Sequence, residues 1–159
     1  MLGCTFMTGQ SLAALSCPRC GHRFDPCNDD LDLSLRHPWH LRGRESVRQY
    51  VASLGAEARE WLLALYVDES LNLLSVETVA RGSVSGIQNI SVAAIVCRCQ
   101  SVNASGFILV HNHPSGDPRP SETDIRFTNV LRRLSQELNL PLLSHYVIAG
   151  DEMMAIGGM

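Results

Sequence analysis

No stretch of this chain approaches the ~18 continuous apolar residues that a helix needs to cross a bilayer, so no segment reads as a membrane span. An excess of positive charge is missing too. The formal net charge is -3, whereas a dedicated nucleic-acid-binding domain presents a basic face; association with DNA would have to rest on a local patch. Residues 1–16 carry apolar side chains but lack a positively charged start, and Gly3, Thr8, Gly9, Gln10 and Ser11 interrupt them, so no cleaved signal peptide is expected. The expected location is therefore cytoplasmic. There the cysteines stay reduced and read as metal ligands or packing residues before disulfides. Internal repeats and low-complexity tracts are absent as well.

What is present can bury one core, since 45% of the 159 residues are hydrophobic. Composition changes near residue 45. Residues 1–44 hold Cys4, Cys17, Cys20 and Cys27 with the turn-rich run Asp25-Pro26-Cys27-Asn28-Asp29-Asp30, and read as an extension appended to a domain at 45–159. Cys17-Pro18-Arg19-Cys20-Gly21 resembles one knuckle of a zinc ribbon. A four-ligand site would need partners from Cys4, His22, Cys27, His37 and His40, which form no second C-x-x-C. A structural zinc near Cys17 and Cys20 and an incidental pair of thiols both stay open.

Beyond residue 45, Val47, Tyr50, Val51 and Leu54 have the three-four spacing of an amphipathic helix over Ser46 to Leu54. Trp61 to Val67 and Leu73 to Val79 are apolar runs flanking the polar connection Asp68-Glu69-Ser70-Leu71-Asn72, a hairpin pattern. Ser91 can cap a helix with Val92, Ile95, Val96 and Cys99 on its apolar face, with Cys97 on the other side. Phe107-Ile108-Leu109-Val110 has the length of a buried strand. Phe127, Val130, Leu131, Leu134 and Leu138 form the stripe of a longer helix, ended by Pro141. Leu142 to Ile148 and Met153 to Ile156 then close the fold as strands joined at Gly150-Asp151. Strands alternating with helices predict an α/β (α+β) fold, a mixed β-sheet flanked by helices.

The chemistry concentrates in His111-Asn112-His113-Pro114-Ser115-Gly116-Asp117-Pro118-Arg119-Pro120-Ser121-Glu122-Thr123-Asp124. Side chains two apart on a strand share a face, so His111 and His113 project the same way from the strand end. Ser121-Glu122-Thr123-Asp124 opens a helix and places a carboxylate in its first turn, where it can return to the histidines. Two imidazoles and one carboxylate leave a coordination position for water, and zinc suits such donors. Ser121-x-x-Asp124 is also a capping box, which by itself accounts for neither the second histidine nor the prolines of the loop. His145, on a late strand, reads as a core residue or a support for a ligand rather than as a fourth ligand.

His111-x-His113, seven residues, then Ser121-x-x-Asp124 resembles the JAMM (MPN+) metalloprotease motif, and His-Asn-His-Pro-Ser-Gly-Asp-Pro-x-Pro-Ser resembles its bacterial RadC branch. The likeness covers roughly residues 45–156 and includes Glu60-Trp61-Leu62-Leu63-Ala64-Leu65-Tyr66-Val67-Asp68, Glu77-Thr78-Val79 with Arg81-Gly82-Ser83, and Leu143-Ser144-His145-Tyr146-Val147-Ile148. It implies a JAB/MPN domain similar to the cytidine-deaminase-like sandwich. It also implies that His111, His113 and Asp124 bind Zn2+, that Glu60 exchanges a proton with the activated water and the departing amine, and that Ser121 helps hold the developing oxyanion or the water. Glu57 is the nearby competitor of Glu60. Two features depart from the branch. Nothing resembles its usual helix-hairpin-helix segment, and Gly86-Ile87-Gln88-Asn89-Ile90 stands where a Pro-Arg-Glu helix start is usual.

The leading expectation is a zinc metallohydrolase that cuts a peptide or isopeptide bond of a protein or peptide substrate. The runner-up is a non-catalytic, metal-stabilised protein of DNA maintenance or mobile-element biology. An iron oxygenase uses two histidines and a carboxylate but spaces them as His-x-Asp and a distant His. A base deaminase wants His-x-Glu and Pro-Cys-x-x-Cys near its metal. The letters His-Asn-His are too compact for an HNH nuclease.

Overall fold

Two continuous apolar runs make the centre of the sheet. The computed structural model describes residues 39–82 and 90–157 and, by backbone alone, 15–16 and 23–24, which pair antiparallel as β1 (Leu15–Ser16) and β2 (Arg23–Phe24). Cys4, Cys17, Cys20 and Cys27 lie outside the described residues, as do Gly86, Ile87, Gln88 and Asn89. The central strands are β3 (Trp61–Val67) and β5 (Gly106–Asn112), and every residue in both is buried. A strand without polar alternation must be covered on both faces, and these two are.

On one face lie α1 (Arg44–Tyr50) and a 3-10 turn, Ala52–Ala56, where a single helix over Ser46 to Leu54 was expected. The break costs no burial: Val47, Tyr50, Val51 and Leu54 all enter a core with Leu63, Leu65, Ile108 and Val110. Gly55 lies so close to the backbone of Gly150 that an added Cβ would sit 2.0 Å from its carbonyl oxygen, and Gly150 N donates to Gly55 O at 2.9 Å. Only glycine allows this seating of the turn on the sheet end. Trp39 and Leu41 also pack here. Leu41 N donates to Leu71 O, Leu73 N donates to Trp39 O, and the Trp39 ring meets Tyr50 edge-on at 5.1 Å.

The other face carries α2 (Val92–Ser101) and α3 (Glu122–Glu137) over Leu62, Ala64, Tyr66, Phe107 and Leu109. Ser91 caps α2 by accepting from Ala94 N at 3.2 Å, Cys99 is buried and Cys97 is exposed. The stripe expected on α3 is corrected. Leu131 is buried and Phe127 half-buried, but Val130, Leu134 and Leu138 are 49%, 36% and 53% exposed. The residues that sink are Thr128 and Ser135. They are small and find polar partners beneath the helix; Ser135 Oγ accepts from Leu142 N at 3.1 Å. After α3, Asn139 turns the chain with φ 55°.

The five strands lie in the order β4-β3-β5-β6-β7, with β4 (Leu73–Arg81), β6 (Leu142–Ala149) and β7 (Glu152–Ala155). Only β5 and β6 pair in parallel, so the sheet is mixed and the fold is α+β. Among the described residues no helix is long and apolar enough to cross a membrane.

Candidate metal centre

The antiparallel register of β3 and β5 pairs Leu62 with His111. Carried one residue further it sets Trp61 beside Asn112, and one more brings Glu60 level with His113. Residues some fifty apart in sequence thus meet at one sheet end. Alternation along β5 sends His111 toward α3 and Asn112 toward the opposite face. Asn112 is fully buried there; its Oδ1 accepts from Trp61 N at 2.8 Å and its Nδ2 donates to the carbonyls of Glu57 and Arg59 at 3.1 and 2.8 Å. The Glu60 carbonyl in turn accepts from Gly82 N at 2.8 Å.

His113 follows the strand, its N–H bonded to Ile148 O at 2.9 Å. Its Nδ1 donates to the carbonyl of Asp117 at 2.9 Å, which leaves the Nε2 lone pair of the neutral ring for a metal ion. The loop that brings Asp117 round turns at Gly116, with φ 84°. Asp117 and Arg119 close it by an exposed ion pair that holds the Asp117 carboxyl down to about 2.

Ser121 is the N-cap of α3 and makes both halves of a capping box with Asp124. Asp124 Oδ2 accepts from Ser121 N at 2.7 Å and from Ser121 Oγ at 2.6 Å. Its Oδ1 is left facing His111. Capping and ligation therefore do not compete, because the box uses one carboxylate oxygen and aims the other.

The Nε2 atoms of His111 and His113 are 3.1 Å apart, and they lie 3.4 and 3.5 Å from Asp124 Oδ1 and Oδ2. Ligands of a tetrahedral zinc at roughly 2.0–2.1 Å stand roughly 3.3 Å from one another, close to the 3.1 Å between the two Nε2 atoms and the 3.4 Å from His111 Nε2 to Asp124 Oδ1. Glu60 completes a group of four whose ligand atoms all lie within 4.8 Å of one another. Glu60, His111, His113 and Asp124 can thus hold a metal ion.

Electrostatics agree with a cation at this point. Burial raises the Asp124 carboxyl, but the adjoining His111 and His113 rings and the hydrogen bond from Ser121 outweigh it and hold the group far below the usual carboxylate range. The Asp124 side chain raises His113 against its burial. Burial also raises the Glu60 carboxyl, with His111 and His113 opposing and Asp124 adding to the shift. His145, buried behind His111, is pushed down to about 3 by desolvation first and by His111 second.

Residues 41–157 match the family model described as the RadC-like JAB domain. The chain belongs to that family. It is 32% identical over 124 residues to a UPF0758 protein of Bordetella avium (77% of this chain, 52% of the relative). It is 34% identical over 117 residues to one of Aquifex aeolicus (74% and 48%) and 32% identical over 129 residues to one of Acidithiobacillus ferrooxidans (80% and 53%). The chain spans about half the length of these curated relatives.

In this RadC-like JAB domain the structure brings together Glu60, His111, His113 and Asp124, with Ser121 on the far oxygen of Asp124. Glu57 is not in the group. Three contributors were not legible as site residues: Asn112, the Asp117 carbonyl and Thr128, which bonds both the carbonyl of Asp124 and His145. For Asn112 the only signal is alternation, which puts it opposite the histidines. For Thr128 it is a hydroxyl four residues after Asp124 inside an otherwise apolar stripe.

Proposed function

We propose that this RadC-like JAB domain is a zinc-dependent hydrolase that cleaves peptide or isopeptide bonds of a protein or peptide substrate. The observation that carries the reading is Glu60, a half-buried carboxylate with a raised pKa set within 4.8 Å of the three ligand atoms. A three-ligand site needs no such group to bind metal, whereas hydrolysis needs a base.

His111, His113 and Asp124 would hold zinc, which when bound would lower the pKa of a water to about 7 and polarise a carbonyl. Glu60 takes a proton from the attacking water as the C–O bond forms. It then gives that proton to the amide nitrogen as the C–N bond breaks, leaving a carboxylic acid and an amine. A carboxyl raised by burial suits both halves, since its pKa lies nearer to neutral pH. Ser121 holds Asp124 and lies at the exposed rim, where its hydroxyl can turn from the carboxylate to the developing oxyanion.

The test is zinc content and cleavage of a peptide library by the wild type, Glu60→Gln and Glu57→Gln. Glu60→Gln keeps size and hydrogen bonding but cannot carry the proton, so metal content should hold while the rate falls about 10²–10⁴-fold. Glu57→Gln should be nearly silent. Metal-loaded wild type that cleaves no member of the library would overturn the enzyme reading in favour of a metal-stabilised interaction protein.

A further inference from the structure

Hydrogen-bond direction can be followed from α3 into the ligand set, because the path begins at a group with only one possible role. The carbonyl of Asp124 can only accept, and it lies 2.6 Å from Thr128 Oγ1. The single hydroxyl proton of Thr128 is therefore spent on it. Thr128 Oγ1 also lies 2.7 Å from His145 Nδ1. With its proton committed, the hydroxyl must accept there, so Nδ1 of His145 carries the hydrogen. The reverse arrangement would press two lone pairs together in a place where neither finds water, since Thr128 is 0% and His145 1% exposed.

A neutral His145 with its proton on Nδ1 has a lone pair on Nε2, which lies 2.9 Å from His111 Nδ1. His111 must then donate from Nδ1, and its own lone pair falls on Nε2. That is the atom facing His113 Nε2 at 3.1 Å and Asp124 Oδ1 at 3.4 Å.

We propose that His145, set by Thr128, is a positioning residue that fixes His111 in the Nδ1–H tautomer and so keeps its Nε2 ready for a metal ion. His113 has its Nδ1–H committed to the Asp117 carbonyl and needs no such partner. The path from Asp124 through Thr128 and His145 to His111 also closes on itself, because Asp124 supplies another ligand atom. Two ligands that arrive on different elements, β5 and α3, are locked in relative orientation before any ion enters. An orienting partner of this kind is commonly worth about 10- to 100-fold in metal affinity.

The inference rests on the metal-site reading above and is independent of hydrolysis. The experiment compares wild type, His145→Phe, His145→Gln, Thr128→Val and Thr128→Ser. Two quantities are measured: the tautomer of His111 in metal-free protein, by long-range proton–nitrogen correlation NMR at about pH 8, above the ordinary histidine range, and the affinity for zinc by chelator competition. Phenylalanine fills the ring volume but has no acceptor, whereas the glutamine carbonyl can stand where Nε2 does. Valine deletes the Thr128 hydroxyl at nearly constant volume, and serine restores it.

In the wild type, His145→Gln and Thr128→Ser, His111 should carry its proton on Nδ1 and zinc affinity should agree within a few-fold. In His145→Phe and Thr128→Val the proton should shift toward Nε2, with zinc binding weakened about 10- to 100-fold. Should His145→Phe not fold, the Thr128 pair carries the same test through the other end of the path. A His111 with its proton on Nε2 in the wild type would overturn the proposal. So would zinc affinity in folded His145→Phe or Thr128→Val equal to that of the wild type. Wild type that shows the Nδ1–H tautomer yet binds no zinc would sink the metal-site reading and leave the hydrogen-bond assignment standing.

Discussion

The side chain of Asn112 holds the main chain of Trp61: its Oδ1 accepts the Trp61 N–H at 2.8 Å across the β3–β5 pair. With its two other bonds to the carbonyls of Glu57 and Arg59, it grips the segment that carries Glu60 from both sides. The residue between the two histidines thus holds the backbone on either side of Glu60, while the histidines face Asp124.

Asn112→Ala strands the buried Trp61 N–H, at about 1–3 kcal/mol for a group that water cannot reach, and releases two part-buried carbonyls. A loss of about 1–3 kcal/mol in denaturant unfolding is expected, with zinc content reduced far less than cleavage rate. Unfolding at the wild-type midpoint with unchanged slope would show that the grip contributes nothing.

The two sides of α3 should respond very differently to truncation. Leu131 is 0% exposed and Leu138 53%. Leu131→Ala should cost about 2–5 kcal/mol, as buried leucines do. Leu138→Ala should stay within about 0.5 kcal/mol, as substitutions at the surface do. Equal losses at both positions would mean that the helix buries the broader stripe seen in its sequence.

Metal affinity should depend on pH with a definite sign. Asp124 raises His113 above its ordinary 6.5, against burial, so a proton competes with the metal for its Nε2 at higher pH than on a free imidazole. Zinc affinity should be full at alkaline pH and fall as pH drops through a midpoint above 6.5. Stability of the metal-free protein should follow His145 instead. Its folded pKa of about 3 lies below the ordinary 6.5, so the unfolded chain takes up the proton first and stability is lost as pH falls from 6.5 toward 3. In His145→Gln that part of the loss should vanish. Calorimetry and chelator competition over the same pH series separate the two.

Local patterns that act over a few residues were legible in the chain itself. The spacing of two put His111 and His113 on one side of a strand, Ser121-x-x-Asp124 opened a helix with a carboxylate in its first turn, and the apolar runs around Asp68–Asn72 made a hairpin. Backbone period and capping chemistry are properties of neighbours, so no distant contact is needed to read them. Glu60 belongs to another class. Only the antiparallel register that pairs Leu62 with His111 brings Glu60 and not Glu57 into the ligand group, and register is set by strand pairing across some fifty residues. Helix burial was likewise decided by docking: α3 turns Thr128, Leu131 and Ser135 inward because the sheet offers polar partners beneath it, and leaves Val130, Leu134 and Leu138 outside. The protonation of His111 lies furthest from the sequence. It follows from Thr128 and His145, two side chains on different elements, since an imidazole's tautomer is chosen by what its other nitrogen touches.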